Sequence, residues 1–204
     1  MSLNEKRKFN VFEHVGITYR ASLGFLYNKL YKKQNGMNFK FKERIMLAVT
    51  EVNGCVMCSY VHTKLSLKAG LSNQDIKEIL AGDLEGVPAD ESLAVLFAKD
   101  YAYNKETIDP KFYSKLEDTY GIRKARAILG ATEFITMTNS MGISMALFKN
   151  TLSFKHVKGS NVFNELLIPI LTMVLLPTFL LINLFVIPFH NGKINKKVNN
   201  PVKK

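Results

Sequence analysis

The chain has 204 residues, 47% of them hydrophobic and 22% charged, which is enough for one globular domain and an appendage. Its two cysteines stand three apart, a spacing that excludes the disulfide framework of a small secreted domain and fits redox or metal chemistry inside a cell. Of the net charge of +11, five lysines (193, 196, 197, 203 and 204) lie in the last fourteen residues, and the remaining 23 basic residues face 17 acids. No basic stripe interleaved with aromatics is present, so nucleic acid is not an expected partner. The lysine-rich tail suits an anionic membrane surface, where each lysine contributes about 1 kcal/mol. The opening MSLNEKRKFNVFEHV is charged and lacks the apolar core of a secretory signal.

Residues 10–33 carry apolar side chains at helical spacing, with Val11, Phe12, Val15, Tyr19, Leu23, Leu26, Tyr27 and Leu30 on the stripe and Ile17 off it. This predicts a first helix with a break near Gly16, within an N-terminal extension of residues 1–36. A second helix is expected over 41–52, burying Ile45, Met46, Ala48, Val49 and Val52. Asn53-Gly54 signals a turn, and a third helix runs from Cys55 to about Ala69, closed by Gly70. Ser72 with Asp75 resembles a capping box for a short helix that stops at Gly82. Further helices are predicted over 89–103, from Asp109-Pro110 to Gly121, and over 122–148. In the last, Gly130, Asn139-Ser140 and Gly142 imply close packing or kinks. No alternating strand pattern persists, and the fold class is all-α, with the main domain at 37–150 and a linker at 151–165.

Residues 166–189 form a run of 24 without a formal charge, interrupted only by Thr172, Thr178 and Asn183 among polar residues and by three prolines. About 20 apolar residues suffice to span a bilayer, but Pro169, Pro177 and Pro188 oppose a straight helix. Either a kinked span or a re-entrant hairpin follows, ahead of a basic tail at 190–204. The positive tail prefers the cytoplasmic side, where the cysteine domain also belongs in the absence of an export signal. The segment is therefore read as a membrane attachment on that side, against the alternative of a buried helix in an oligomer core.

The densest cluster of reactive groups is ERIMLAVTEVNGCVMCSYVHTKLSLKAG, residues 43–70. Steps of three and four place Cys55, Cys58 and His62 on one helical face. Cysteines in a first turn meet free backbone N–H groups and the positive end of the helix dipole, which favour thiolate, and a nearby imidazole can move a proton.

This segment resembles the carboxymuconolactone decarboxylase and alkylhydroperoxidase D-like family, whose signature is a glutamate, eleven residues, then Cys-x-x-Cys-x-x-x-His; here Glu43, Cys55, Cys58 and His62 keep every spacing. The resemblance spans roughly residues 38–148 and implies an all-helical unit assembling as trimers or hexamers. By position it implies that Cys58 attacks a hydroperoxide, that Cys55 closes the disulfide, and that Glu43 and His62 relay protons. The implied partners are a hydroperoxide substrate and a dithiol reductant such as a lipoyl or thioredoxin-like protein, with no cofactor and no metal. One position departs: the alkylhydroperoxidase D enzymes carry a further histidine before the second cysteine, where this chain has Met57. A general thiol–disulfide role needs that residue less, so a thiol oxidoreductase or a membrane-bound redox sensor or adaptor stands beside the peroxidase reading.

Other readings of the same residues are a pair of inert core thiols and a zinc site, although Cys55, Cys58 and His62 give only three nitrogen or sulfur donors where structural zinc takes four. Glu51 is an alternative acid. His14, His156 and His190 have no partner spacing and are expected at the surface or an interface.

Overall fold

The computed structural model describes residues 7–155 and 157–199, with side chains to residue 192. Its elements are helices only: α1 (Val11–Leu30), α2 (Lys32–Asn35), α3 (Phe39–Asn53), α4 (Val56–Lys68), α5 (Asn73–Ala81), α6 (Ala89–Tyr103), α7 (Pro110–Tyr120), α8 (Ile122–Leu152) and α9 (Val162–Asn199). The expected all-α class is observed.

Local chemistry sets the boundaries. Asn10 caps α1 by accepting from the Glu13 N–H while Glu13 reaches back to the cap, a reciprocal box. Ser72 and Asp75 form the same arrangement at α5, as their spacing implied. Asp109 accepts from Lys111 N–H ahead of Pro110 at the start of α7. Gly54, at φ 72°, ends α3 by donating to the Thr50 and Glu51 carbonyls and turns the chain directly into α4.

α8 is the central helix, and α1, α3, α7 and α9 all lie against it. It runs unbroken through Gly130 and Gly142, and both glycines serve close packing. A Cβ on Gly24 would stand 2.5 Å from Gly130 Cα, so α1 and α8 meet backbone to backbone. Around this crossing the main core gathers Phe41, Ile45 and Val49 of α3, Phe97 and Tyr101 of α6, Leu116 of α7 and Ile128 and Ile135 of α8. Two buried ion pairs brace it, Arg44–Glu91 at 2.7 Å and Arg126–Glu133 at 3.3 Å.

α1 differs from the single stripe read in the sequence. It is continuous through Gly16, Ile17 is buried, and Phe12 is 89% exposed. The reason is geometric: α1 lies between α8 and α9 and therefore buries two faces, the second made of small and polar residues such as Thr18, Ala21 and Ser22. The apolar C-terminal run is one helix without a hairpin, although it contains all three prolines. Contacts between Val11 and Asn164, His14 and Thr172, and Ser22 and Asn183 show α9 running parallel to α1.

The Gly24–Gly130 contact yields a stability test. Gly24→Ala and Gly130→Ala should each cost about 1–3 kcal/mol by overpacking. Gly16→Ala, whose Cβ meets only the flexible Arg20 side chain at 3.5 Å, should be neutral or stabilising through helix propensity. Urea midpoints at constant slope check all three.

Candidate functional site

Cys55 and Cys58 are joined as a disulfide, with a Cα–Cα distance of 5.3 Å. Cys55 is the N-cap of α4, and its Sγ accepts the Cys58 backbone N–H at 3.3 Å. A sulfur in that position takes one of the helix's orphan donors and faces the positive end of its dipole. Cys58 Sγ lies 3.7 Å from the Thr138 carbonyl of α8, an acceptor for its thiol in the reduced state. Cys55 is 1% exposed and Cys58 5%, so both cysteines are buried.

The sulfurs rest on the backbone of α8. A Cβ at Gly142 would stand 2.8 Å from Cys55 Sγ and 3.2 Å from Cys58 Sγ. Ile17 of α1, Met137, Ile143 and Leu147 of α8 and Ile168 of α9 complete the apolar cluster that contains both cysteines. Position 57 is half exposed, and the Met57 methyl stands 3.0 Å from the Gly142 Cβ position, at the rim of the pair. A cleft of about 310 Å³ opens at the cysteine turn, lined by Thr50, Glu51, Gly54, Val56, Ser59 and Leu80.

Glu43 and His62 form a second pair. Glu43, in the first half of α3, is 1% exposed, and its Oε2 stands 2.7 Å from His62 Nδ1 on α4. A buried carboxylate in this position fixes the imidazole's orientation and leaves Nε2 as the ring's other polar atom. Thus the four signature residues come together as two bonded pairs at the α3–α4 corner. Among the described residues no hydrogen bond joins one pair to the other. Glu51 instead pairs with Lys99 at 3.2 Å, and among the described residues no group of three acidic, histidine or cysteine side chains is arranged to hold a metal ion.

His14 is where the sequence reading fails. Far from being a surface residue, it is 0% exposed, at the junction of three helices. Its Nδ1 stands 2.7 Å from Ser140 Oγ of α8, and its Nε2 2.8 Å from Thr172 Oγ1 of α9 and 3.1 Å from Thr18 Oγ1. Both threonine hydroxyls donate to backbone carbonyls and are left to accept from Nε2–H, while the Ser140 hydroxyl stands between two acceptors for its one proton, Nδ1 and the Met137 carbonyl at 2.8 Å. Burial pushes the ring's pKa down to about 4, which favours its neutral form. The available sequence signal was a histidine and a threonine one turn apart, His14 and Thr18, and Thr172 as one of two threonines inside an apolar run. His190 is half-buried, and His156 lies outside the described residues.

Fold and site together define a helical dithiol–disulfide protein. Residues 18–98 match the model of the Carboxymuconolactone decarboxylase family, so the resemblance carried by Glu43, Cys55, Cys58 and His62 holds. The match begins inside α1, some twenty residues before the resemblance read from the sequence, and ends in α6. No curated protein and no solved structure matches the chain.

His14 gives the fold a pH dependence. Its unfolded value of 6.5 lies above the folded value of about 4, so between these the unfolded chain binds the extra proton. The stabilisation is complete above pH 6.5 and is lost as pH falls toward 4, about 3 kcal/mol in all. Denaturant titrations of the native protein and of His14→Gln at several pH values should show this component of the slope only in the native protein.

Proposed function

We propose that the protein is a thiol-dependent peroxidase that cycles between a dithiol and the Cys55–Cys58 disulfide. The observation that carries this reading is the placement of a vicinal cysteine pair at a helix N-terminus beside a buried carboxylate–imidazole pair. In the reduced protein the Cys58 thiolate attacks the hydroperoxide. Its sulfur takes one oxygen to become a sulfenic acid, the O–O bond breaks, and the departing alkoxide takes a proton to leave as alcohol. The Cys55 thiol then displaces the sulfenic oxygen as water and closes the disulfide. A dithiol partner, itself oxidised to a disulfide, restores both thiols.

The local geometry supports these roles. Cys58, in the signature position of the attacking thiol, is the one that meets peroxide or reductant. Cys55, held by the Cys58 N–H, leaves as a stabilised thiolate when a reductant attacks Cys58. His62, oriented by Glu43, supplies the proton relay. Because Met57 occupies the rim position, the relay on this reading consists of Glu43 and His62 alone. The same scaffold is taken to assemble as a trimer or hexamer and to sit at the cytoplasmic face of the membrane through residues 166–189.

A second reading, a thiol–disulfide oxidoreductase or redox sensor without peroxidase turnover, draws on the burial of both sulfurs. The two readings separate in one assay. Reduced protein with a dithiol such as dihydrolipoamide should consume tert-butyl and lipid hydroperoxides, Cys58→Ser should abolish this, and Cys55→Ser should stop after one turnover with the sulfenic acid trapped by dimedone. Glu43→Gln and His62→Gln should lower kcat roughly 10²–10⁴-fold. Undiminished turnover by Cys58→Ser sinks the peroxidase mechanism, and absence of turnover with reversible disulfide formation favours the oxidoreductase or sensor.

A further inference from the structure

α9 sorts its residues in the inverse of the usual amphipathic sense. From Val162 to Gly192 it is long and apolar enough to cross a membrane. Its buried stripe nevertheless holds three hydrogen-bonding side chains. Glu165 accepts from Thr151 at 2.7 Å, Thr172 meets His14 at 2.8 Å, and Asn183 donates to Ser22 Oγ at 2.7 Å and to the Tyr19 carbonyl at 3.3 Å. What remains outside is apolar but for Thr178, whose hydroxyl donates to the Val174 carbonyl of its own helix: Leu166, Met173, Leu181, Phe185 and Phe189 are all between 42% and 79% exposed. Phe12 and Tyr19 extend this face onto α1, where Tyr19 packs edge-on against Phe179 with ring centroids 5.5 Å apart.

The docked stripe extends from Glu165 to Ile187, about 33 Å of helix, which is as long as the hydrocarbon core of a bilayer is thick, about 30 Å. α9 therefore cannot cross a bilayer alone in this fold. It would have to take α1 and α8 with it over the same length, and with them Arg20, Lys29 and the Arg126–Glu133 ion pair. Charges at that depth are costly. A helix lying in the plane of the membrane surface meets no such penalty. Its inner stripe stays on the protein, its outer face enters the headgroup–acyl boundary by roughly 5–10 Å, and Lys193, Lys196 and Lys197, with Lys203 and Lys204, follow directly in the sequence as partners for anionic lipid.

We propose that α9 is an in-plane membrane anchor for anionic bilayers, neither a span nor a hairpin, holding the dithiol domain side-on to the lipid with the C-terminal tail on the same side as that domain. This rests on the membrane-attachment reading above and is independent of the peroxidase chemistry.

The chain contains no tryptophan, so single substitutions report without background. Leu166→Trp, Met173→Trp, Leu181→Trp and Phe189→Trp are placed in the full chain and reconstituted from detergent into phosphatidylglycerol–phosphatidylcholine vesicles containing lipid brominated at shallow or deep acyl positions. The in-plane anchor predicts shallow quenching at all four sites, equal within about twofold, and a C-terminal epitope open to protease from the side that exposes the dithiol domain. Deep quenching at 173 and 181 with shallow quenching at 166 and 189, and an epitope on the opposite side, means a span and overturns the in-plane proposal while keeping membrane attachment. A deep tip with the epitope on the same side means a hairpin and overturns it likewise. No vesicle binding, with the four sites protected by self-association, removes membrane attachment altogether and makes this face a contact between copies.

Discussion

The constraint on which the rest of the molecule depends is the seating of two sulfur atoms on the bare backbone of α8 at Gly142. The space there has no room for a Cβ, and interiors packed to crystal density do not deform cheaply to make any. Everything that positions α8 therefore positions the dithiol. α1 does so through the Gly24–Gly130 crossing, α3 through Thr50 and Asn139, whose side-chain oxygens lie 3.2 Å apart, and α9 through the junction at His14. Within a single stretch of α8, the Thr138 carbonyl faces Cys58, Ser140 faces His14 and Gly142 faces both sulfurs. The redox pair and the docking of the C-terminal helix thus share one rigid element.

That sharing explains why polar residues appear in an otherwise apolar run. A hydroxyl or amide facing lipid would have to find its partner within its own helix; one facing the protein can fix register. Thr172 and Asn183 do the latter, each bonded to α1. His14 suits this role because its two ring nitrogens reach hydroxyls on two other helices, Ser140 of α8 and Thr172 of α9. A charged ring would add a donor where burial already disfavours the charge.

How much of this was legible in the sequence depends on the distance over which each feature is encoded. Glu43, Cys55, Cys58 and His62 could be read because helical spacing and one Asn-Gly turn bring them to a single corner within twenty residues. The caps at Asn10, Ser72 and Asp109 are equally local, although only the last two stood out before the fold was known. His14 could not be read, because its partners lie 126 and 158 residues away. The faces of α1 were misassigned for a related reason: a helix between two others has no single apolar stripe, and its second face is marked by small residues that periodicity scores as neutral. In α9 nearly every position is apolar, so the pattern carried length but no direction, and three prolines suggested a break that the helix does not make.

The signature itself is intact, and the one departure from the alkylhydroperoxidase D pattern, Met57 in place of a histidine, is limited in meaning by where the residue stands. The residue stands at the half-exposed rim above Gly142, whereas Glu43 and His62 bond to each other between α3 and α4, a contact in which position 57 takes no part. An imidazole at the rim would put a titratable group at the entrance; a thioether there makes the entrance apolar and polarisable. The exchange thus removes a proton carrier from the solvent side and leaves the internal pair intact. It also aligns the rim with the neighbouring exposed apolar residues, Val56 and Val61 of α4 and Met145 of α8. Covering the thioether and valines is favourable only against another apolar group.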